Sequence, residues 1–476
     1  MKASTYITTL LIGILLAALL SSCRSTSESL RDPATAHIYR TGYPEVQARV
    51  AGHFDKNKNT YIKLYSEFSL NSLIFVTRDG ESEARLKINI YIRDVNDSNN
   101  LVKRITEDIS TRDAQNIEAN ALLFDREMAI GAGDYEISLM VQDLSSDKTT
   151  PATLLVSVPD PKADTPSLTD ISVSNRIDGS NYFIPSNFIA SNADSLSFNF
   201  LVSSNSDSFD ELIVTKRFIR INSDTDFPRP ISHLNIPSGS IAYRGIDYND
   251  QKELYKIDNS IEARSGIHTL ELIHETPARG VYRIEAVIHG KQNDEKKVIE
   301  RKFRDIIVLS PNFPNIRTTR DMIDPLYYLM DRREFQRIRA IENPDSLRAA
   351  FEAFWLSNIR NPSRAAEVIE LYYTRVEEAN RAFTTFREGW MTDMGMVYIL
   401  VGPPVHIENT IDSMIWYYDY NRMDVRTVFR FERARYHGAS FPFHHYILVR
   451  QRFYHEIELN RIQDWRTGRI LSRRSL

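Results

Sequence analysis

The chain has 476 residues, 42% of them hydrophobic and 26% charged, with a formal net charge of −4. That is ordinary globular composition, long enough for about three domains with buried cores. A single cysteine, Cys23, excludes a disulfide framework within the chain.

The first segment has the layout of an export signal. Lys2 is the only charge before an apolar run from Ile7 to Leu20, and Ser21 and Ser22 precede Cys23. A basic start, a short apolar core and small residues at the cut read as a secretory signal peptide over residues 1–22. The run falls short of the roughly 20 residues that a spanning helix needs. Leu20-Ser21-Ser22-Cys23 also resembles a lipobox, in which the cysteine becomes the first mature residue and carries acyl chains. More than one chain gives stable anchoring. Residues 23–37 then read as a lipidated, flexible tether. Arg24 rather than an aspartate follows the cysteine, which points to the periplasmic face of the outer membrane, with the cell surface as the alternative. Nucleic acid is not an expected partner there.

Two regions of alternating pattern follow. In residues 38–158, Leu86, Ile88, Ile90 and Ile92 alternate with polar neighbours, and Tyr135, Ile137, Leu139 and Val141 repeat the pattern. Period two marks half-buried strands. Pro159 to Pro166 reads as a stiff linker. Residues 167–309 have the same texture, with Leu196, Phe198, Phe200 and Val202, then Tyr282, Ile284, Ala286 and Ile288. Both regions contain Gly-x-Tyr-x-Ile, at Gly133 and at Gly280, followed by a polar turn and one last strand. The expectation is two N-terminal all-β sandwich domains of immunoglobulin-like type, in tandem.

Character changes near residue 311. From Pro311 onward there are 24 Arg, no Lys and 21 acidic residues, and all four tryptophans, Trp355, Trp390, Trp416 and Trp465, lie here. Asn343-Pro344-Asp345 opens a helix with Leu347, Ala350, Phe351, Phe354 and Trp355 inward, and Asn361-Pro362-Ser363 opens a second with Ala366, Ile369, Tyr372, Tyr373, Val376 and Ala379 inward. A small sheet is expected from Met396–Val401, Met414–Tyr420, Val428–Phe431 and Tyr446–Arg450. Residues 315–476 thus read as a C-terminal α+β domain.

Between the second helix and that sheet lies Arg387-Glu388-Gly389-Trp390-Met391-Thr392-Asp393, and Gly402-Pro403-Pro404 follows. Together with Tyr372–Asn380, Ile415–Tyr418 and Val428–Phe431, over roughly residues 320–450, this resembles the GWxTD-domain family of bacterial exported lipoproteins. The resemblance implies an exported, membrane-anchored protein with a characteristic C-terminal module; it implies no reaction.

Each signature residue has an architectural reading. Gly389 ends the second helix and reverses the chain. Trp390 buries its ring between helix and sheet. Thr392 and Asp393 accept backbone N–H bonds in a turn. Gly402, Pro403 and Pro404 stop a strand. The functional reading gathers Asp393, Glu378, Arg375 and His406 around one pocket rimmed by Trp390 and Trp416, where a carboxylate acts as general base or holds a cation. Asp393 with Glu378 would then make an envelope hydrolase or glycan-processing enzyme. His437, His444, His445 and His455 are too loosely spaced for a metal site. Neither a phosphate loop nor a G-x-S-x-G elbow occurs, and no cofactor is expected. Arginine forks onto carboxylates and stacks on aromatic rings. Arg375, Asn380, Trp416, Arg466 and Arg469 are candidate partner-binding residues, and Arg466, Arg469, Arg473 and Arg474 a candidate contact for anionic headgroups or polysaccharide. The leading expectation is a non-enzymatic binding or assembly lipoprotein whose head contacts a protein or envelope partner. A polysaccharide- or peptidoglycan-binding protein is the further alternative.

Overall fold

The computed structural model describes residues 42–472 except 79, 98–99, 113–116, 119–120, 178, 185, 265, 294, 411, 420–423 and 435–444. The signal segment, Cys23 and the expected tether lie outside the described residues, as do His437, His444, Arg473 and Arg474. Most of the molecule is β-sandwich-like sheet, and its C-terminal region is helical.

The first region has seven main strands: β1 (Val46–Phe54), β2 (Thr60–Ser69), β3 (Arg85–Asp94), β4 (Leu101–Ser110), β5 (Ala121–Ala129), β6 (Gly133–Asp143) and β7 (Lys148–Val158). One sheet runs β1-β2-β5, and the other β7-β6-β3-β4. Every second residue of β3 is buried, as its alternation predicts. Ile88 and Ile90 from one sheet and Val50 and Leu64 from the other share a single core.

The second region repeats this order. Its main strands are β8 (Ser172–Ile177), β9 (Ser195–Ser204), β10 (Glu211–Ser223), β11 (Ile246–Glu262), β12 (Gly266–Glu275), β13 (Gly280–Gln292) and β14 (Glu295–Leu309). One sheet contains β8-β9-β12, the other β14-β13-β10-β11, strand for strand the arrangement of the first region. The shared Gly-x-Tyr spacing has one cause in both. Gly133 and Gly280 sit at φ +152° and +155°. The tyrosine two residues on turns its hydroxyl back to a carbonyl four residues upstream: Tyr135 to Gly131, 3.1 Å, and Tyr282 to Ala278, 2.7 Å.

Residues 159–166 do not hang free between the regions. Asn205 donates to the Pro161 carbonyl at 2.5 Å, and Asp164 accepts from the Asp207 N–H and the Ser208 hydroxyl. Just beyond, buried Asp170 accepts from the Gly52 N–H at 2.8 Å and pairs with Lys302 at 3.0 Å, joining both regions.

The C-terminal head packs its longer helices, α1 (Arg332–Arg339), α2 (Pro344–Ile359), α3 (Pro362–Phe383), α4 (Asp393–Val401) and α5 (Tyr454–Thr467), against a four-stranded antiparallel sheet. The sheet runs β15 (His406–Asn409), β16 (Ser413–Tyr417), β17 (Val428–Arg433) and β18 (Tyr446–Leu448). Asn343 and Asn361 cap α2 and α3 as expected, each followed by proline. On α3 the inward face begins at Ala365 and Val368, whereas Ala366 is exposed.

One expected strand is a helix. Met396–Val401 belongs to α4, and His406–Asn409 takes the edge of the sheet instead. All nine residues of α4 are buried. A helix enclosed on every side shows no apolar stripe, so its sequence cannot be told from a buried strand by periodicity.

Candidate functional site

The signature is where α3, α4 and the second β region meet. The chain leaves α3 at Thr384, makes one tight turn over Gly389–Met391 and enters α4. Gly389 does not end α3, and its φ is not positive. It is glycine because a Cβ there would lie 1.8 Å from the Ala379 carbonyl oxygen. Gly395 is excluded from a side chain in the same way, 1.9 Å from the Gly389 carbonyl oxygen. The turn is therefore pressed directly onto the end of α3.

Polar contacts lock it there. The Gly389 N–H donates to the Thr384 hydroxyl at 2.8 Å and the Trp390 N–H to Asn380 Oδ1 at 3.2 Å. Asn380 also donates to the Pro314 carbonyl, and Tyr328 donates to the Trp390 carbonyl. Thr392 is the N-cap of α4, accepting from the Gly395 N–H at 3.0 Å while its hydroxyl donates to the Gly389 carbonyl at 2.7 Å.

Asp393, the first residue of α4, is 3% exposed and meets Arg450 through two nitrogens, Nη1 at 2.8 Å and Nη2 at 2.7 Å. It also accepts the Leu448 N–H at 2.8 Å. Burial alone would raise its pKa, but Arg450 and the Leu448 N–H outweigh burial and hold it below the usual carboxylate range. The helix N-terminus favours the same charged form.

Glu388, which sequence reasoning passed over, ties the signature to the second β region. Its carboxylate accepts Trp390 Nε1 at 2.7 Å, the Ser310 N–H at 2.9 Å and Arg279 Nη2 at 2.6 Å. Beside it, Arg387 reaches Asp224 at 3.2 Å and the Asp226 carbonyl at 2.7 Å. A glutamate and an arginine flanking a family motif were the available signal.

Residues 224–240, between β10 and β11, form a strap along the head. Phe227 stacks on Tyr327 at 4.5 Å and lies 5.4 Å from Phe335 and 5.8 Å from Trp390. Ile231 is fully buried in the core of the head. Arg450 donates to the carbonyls of Arg229 and Pro230, while Glu458 accepts the N–H groups of Ile231 and Ser232. A cavity of about 1410 Å³ runs between strap, head and second β region, and Asp393 and Glu388 are on its wall.

Of the residues expected around one pocket, Arg375 and Glu378 come together beside Tyr398, and Asp393 and His406 make contacts of their own elsewhere. Glu378 accepts the Tyr398 hydroxyl at 2.6 Å, a contact separate from those of Asp393. Arg375 donates to the Ile399 carbonyl and stacks over Trp465 at 5.1 Å. Its pKa is lowered by burial. His406 lies on β15, 3.7 Å from Glu408. Gly402, at φ +109°, ends α4 rather than a strand, and Pro403 and Pro404 lead into β15. Trp390 and Trp416 form no rim, since all four tryptophans are buried. Trp416 and Asn380 are thus core residues and offer a partner no surface. Arg466 bonds Asn358 at 3.2 Å, and half-exposed Arg469 pairs with Asp464 at 3.2 Å.

Of the four clustered histidines, His455 is exposed at the cavity mouth and His445 is buried beside Phe386, at 4.9 Å. Neither ring nitrogen of His445 has a hydrogen-bond partner among the described residues. Burial, with Arg387 nearby, pushes its pKa down to about 3. Among the described residues, no three His, Cys, Asp or Glu side chains gather as metal ligands, and no helix is long and apolar enough to cross a membrane.

The GWxTD domain family model matches residues 292–467. The chain carries a GWxTD domain. The match begins on β13, so it takes in β14, which leads into the head, along with the helices and the small sheet. No curated protein matches the chain. Among solved structures it is similar to a red sea bream transglutaminase, with 10% identity and a TM-score of 0.18 over 56% of this chain and 32% of that one. It is also similar to Salmonella alpha-2-macroglobulin reacted with methylamine, with 11% identity and a TM-score of 0.18 over 55% and 16%. A third is the C-terminal domain of the Streptococcus pyogenes antigen I/II-family protein AspA, with 8% identity and a TM-score of 0.18 over 56% and 99%. The chain thus spans about a third of the transglutaminase and a sixth of the macroglobulin. No function transfers across likenesses this distant.

Proposed function

We propose that this chain is a lipid-anchored cell-envelope lipoprotein, tethered through Cys23 on the periplasmic face of the outer membrane, that binds a protein or envelope partner and performs no catalysis. Two immunoglobulin-like sandwiches in tandem carry the GWxTD head away from the membrane. The repeated strand order supports tandem sandwiches, and the paired tyrosine hydroxyls match the corner such sandwiches use.

One observation carries the non-catalytic reading. Both oxygens of the Asp393 carboxylate are taken by Arg450 and the Leu448 N–H. A general base needs an oxygen within reach of a substrate proton. Glu378 is bound elsewhere, to Tyr398, so the rival envelope hydrolase lacks a paired acid and base. Sugar recognition by stacked tryptophans is disfavoured because none of the four is exposed.

The test has two parts. Membrane fractionation of Cys23→Ala should release the chain; retention in the membrane fraction refutes the anchor. Capture from envelope extracts by the lipidated chain should return a component with Glu378→Gln as well as without it, since Glu378 is bound to Tyr398 and does not line the cavity. Measured turnover of an envelope substrate, abolished by Asp393→Asn or Glu378→Gln, would overturn the non-catalytic reading.

A further inference from the structure

The contacts between strap and head are those of a receptor holding an extended peptide. Arg450 takes two successive carbonyls, of Arg229 and Pro230, and Glu458 takes the next two N–H groups, of Ile231 and Ser232. These are backbone groups, which any sequence supplies. Specificity resides in two apolar anchors four residues apart, Phe227 in the slot of Tyr327, Phe335 and Trp390, and Ile231 in the core of the head, with polar side-chain contacts at both ends, Asp224 to Arg387 at 3.2 Å and the Ser232 hydroxyl to Glu458 at 2.6 Å. Pro228 and Pro230 keep the segment extended between them. Main-chain hydrogen bonds with alternating side-chain pockets are a recurring way of reading extended peptides. The strap also underfills its surroundings, because the cavity of about 1410 Å³ runs along it.

We propose that the GWxTD groove is a binding site for an extended peptide segment of a partner protein, with an aromatic residue, intervening prolines and a β-branched aliphatic residue four positions on. The strap, Asp224 to Ser232, fills it in cis. This rests on the binding-module reading and names the partner chemistry. A second copy of this chain is a poorer occupant, since its strap is joined at both ends to one sheet, at Ser223 and Ile246, and already held by its own head. A tethered segment competes at roughly millimolar effective concentration. A free peptide that binds an emptied groove at about 10 μM would therefore bind the intact chain about 100-fold more weakly.

The experiment uses a labelled nine-residue peptide copying Asp224–Ser232 and the full chain carrying Phe227→Ala and Ile231→Ala. Fluorescence anisotropy should show micromolar binding to this variant, about 100-fold weaker binding to the unmodified chain, and none for a peptide lacking both anchors. Equal affinity for both chains, or no binding to a variant whose tryptophan fluorescence is native, overturns the proposal. Should that variant not fold, hydrogen exchange on the unmodified chain decides. The Ile231 and Ser232 amides should exchange at least 10-fold faster than the Leu448 amide, and equal rates overturn the proposal. Dimers of the unmodified chain dispersed by the peptide would assign the groove to a second copy and overturn it as well. Envelope capture unaffected by excess peptide would sink this inference alone, whereas absence of any capture sinks the broader binding reading.

Discussion

Arg450 holds Asp393 by two nitrogens, at 2.8 and 2.7 Å, and reaches past it to the strap carbonyls of Arg229 and Pro230. One guanidinium thus joins the N-terminus of α4, the end of β18 and the second β region. The Arg450 side chain is fully buried. Removing the carboxylate charge leaves that cation uncompensated, which typically costs 3–5 kcal/mol. Asp393→Asn should therefore destabilise the head by about 3 kcal/mol. All four tryptophans lie in the head, so urea unfolding followed by tryptophan fluorescence reports this region alone. A free energy within about 0.5 kcal/mol of the unmodified chain, the range of ordinary surface substitutions, would show that the pair does not hold the head together.

Gly389→Ala tests the other half of the signature. The new Cβ would meet a backbone oxygen at 1.8 Å, and no side-chain rotation relieves a clash with backbone. Overpacking of this kind costs about 1–3 kcal/mol and occasionally more. The expected loss is at the upper end, about 3 kcal/mol by the same fluorescence measurement. Gly131→Ala, whose new Cβ would meet only the Tyr135 hydroxyl at 3.9 Å, serves as a control outside the head and should leave the tryptophan signal unchanged.

His445 sets a pH dependence whose sign follows from burial. Its folded pKa is about 3, against 6.5 for an ordinary histidine. Between these values the unfolded chain takes up a proton that the folded head refuses, so head stability falls as pH drops below about 6.5. The slope from one such group is about 1.4 kcal/mol per pH unit once the unfolded histidine is protonated. Asp393 adds loss in the same direction only at lower pH, as its own carboxyl becomes protonated. Unfolding measured from pH 8 to pH 4 should show a plateau and then a decline, and His445→Leu should flatten that decline. An unchanged slope in the variant would assign the dependence to other groups.

What the sequence made legible depended on which faces meet solvent. The alternation of Leu86 to Ile92 and the capped starts of α2 and α3 were readable because each element has one wet side. Met396–Val401 was misread as a strand because α4 is dry all round. Asp393 was visible as part of a motif, but its partner Arg450 lies 57 residues away and carries no local signature. Asp393 and Glu378 fell to different networks for the same reason: sequence proximity to a motif does not say which way a side chain turns. The strap was invisible as well, since Phe227 and Ile231 are anchored by Tyr327, Phe335, Trp390 and Glu458, all far along the chain and marked by no local pattern.

The repeated Gly-x-Tyr spacing gives a prediction for both β regions at once. In each, a glycine at positive φ turns the chain into a strand, and the tyrosine hydroxyl closes back on the carbonyl four residues upstream. If the two regions are equivalent in energetics as well as in strand order, Tyr135→Phe and Tyr282→Phe should act alike. Each removes one hydrogen bond while leaving the buried ring in place, a loss of about 1 kcal/mol. Hydrogen exchange resolves the regions separately: Tyr135→Phe should speed exchange of the β6 and β7 amides and leave β13 and β14 unchanged, and Tyr282→Phe should do the reverse. Acceleration spreading through both regions from either substitution would mean that the Asp170–Lys302 junction makes them one cooperative unit, and the tandem-sandwich picture would need a single unfolding block.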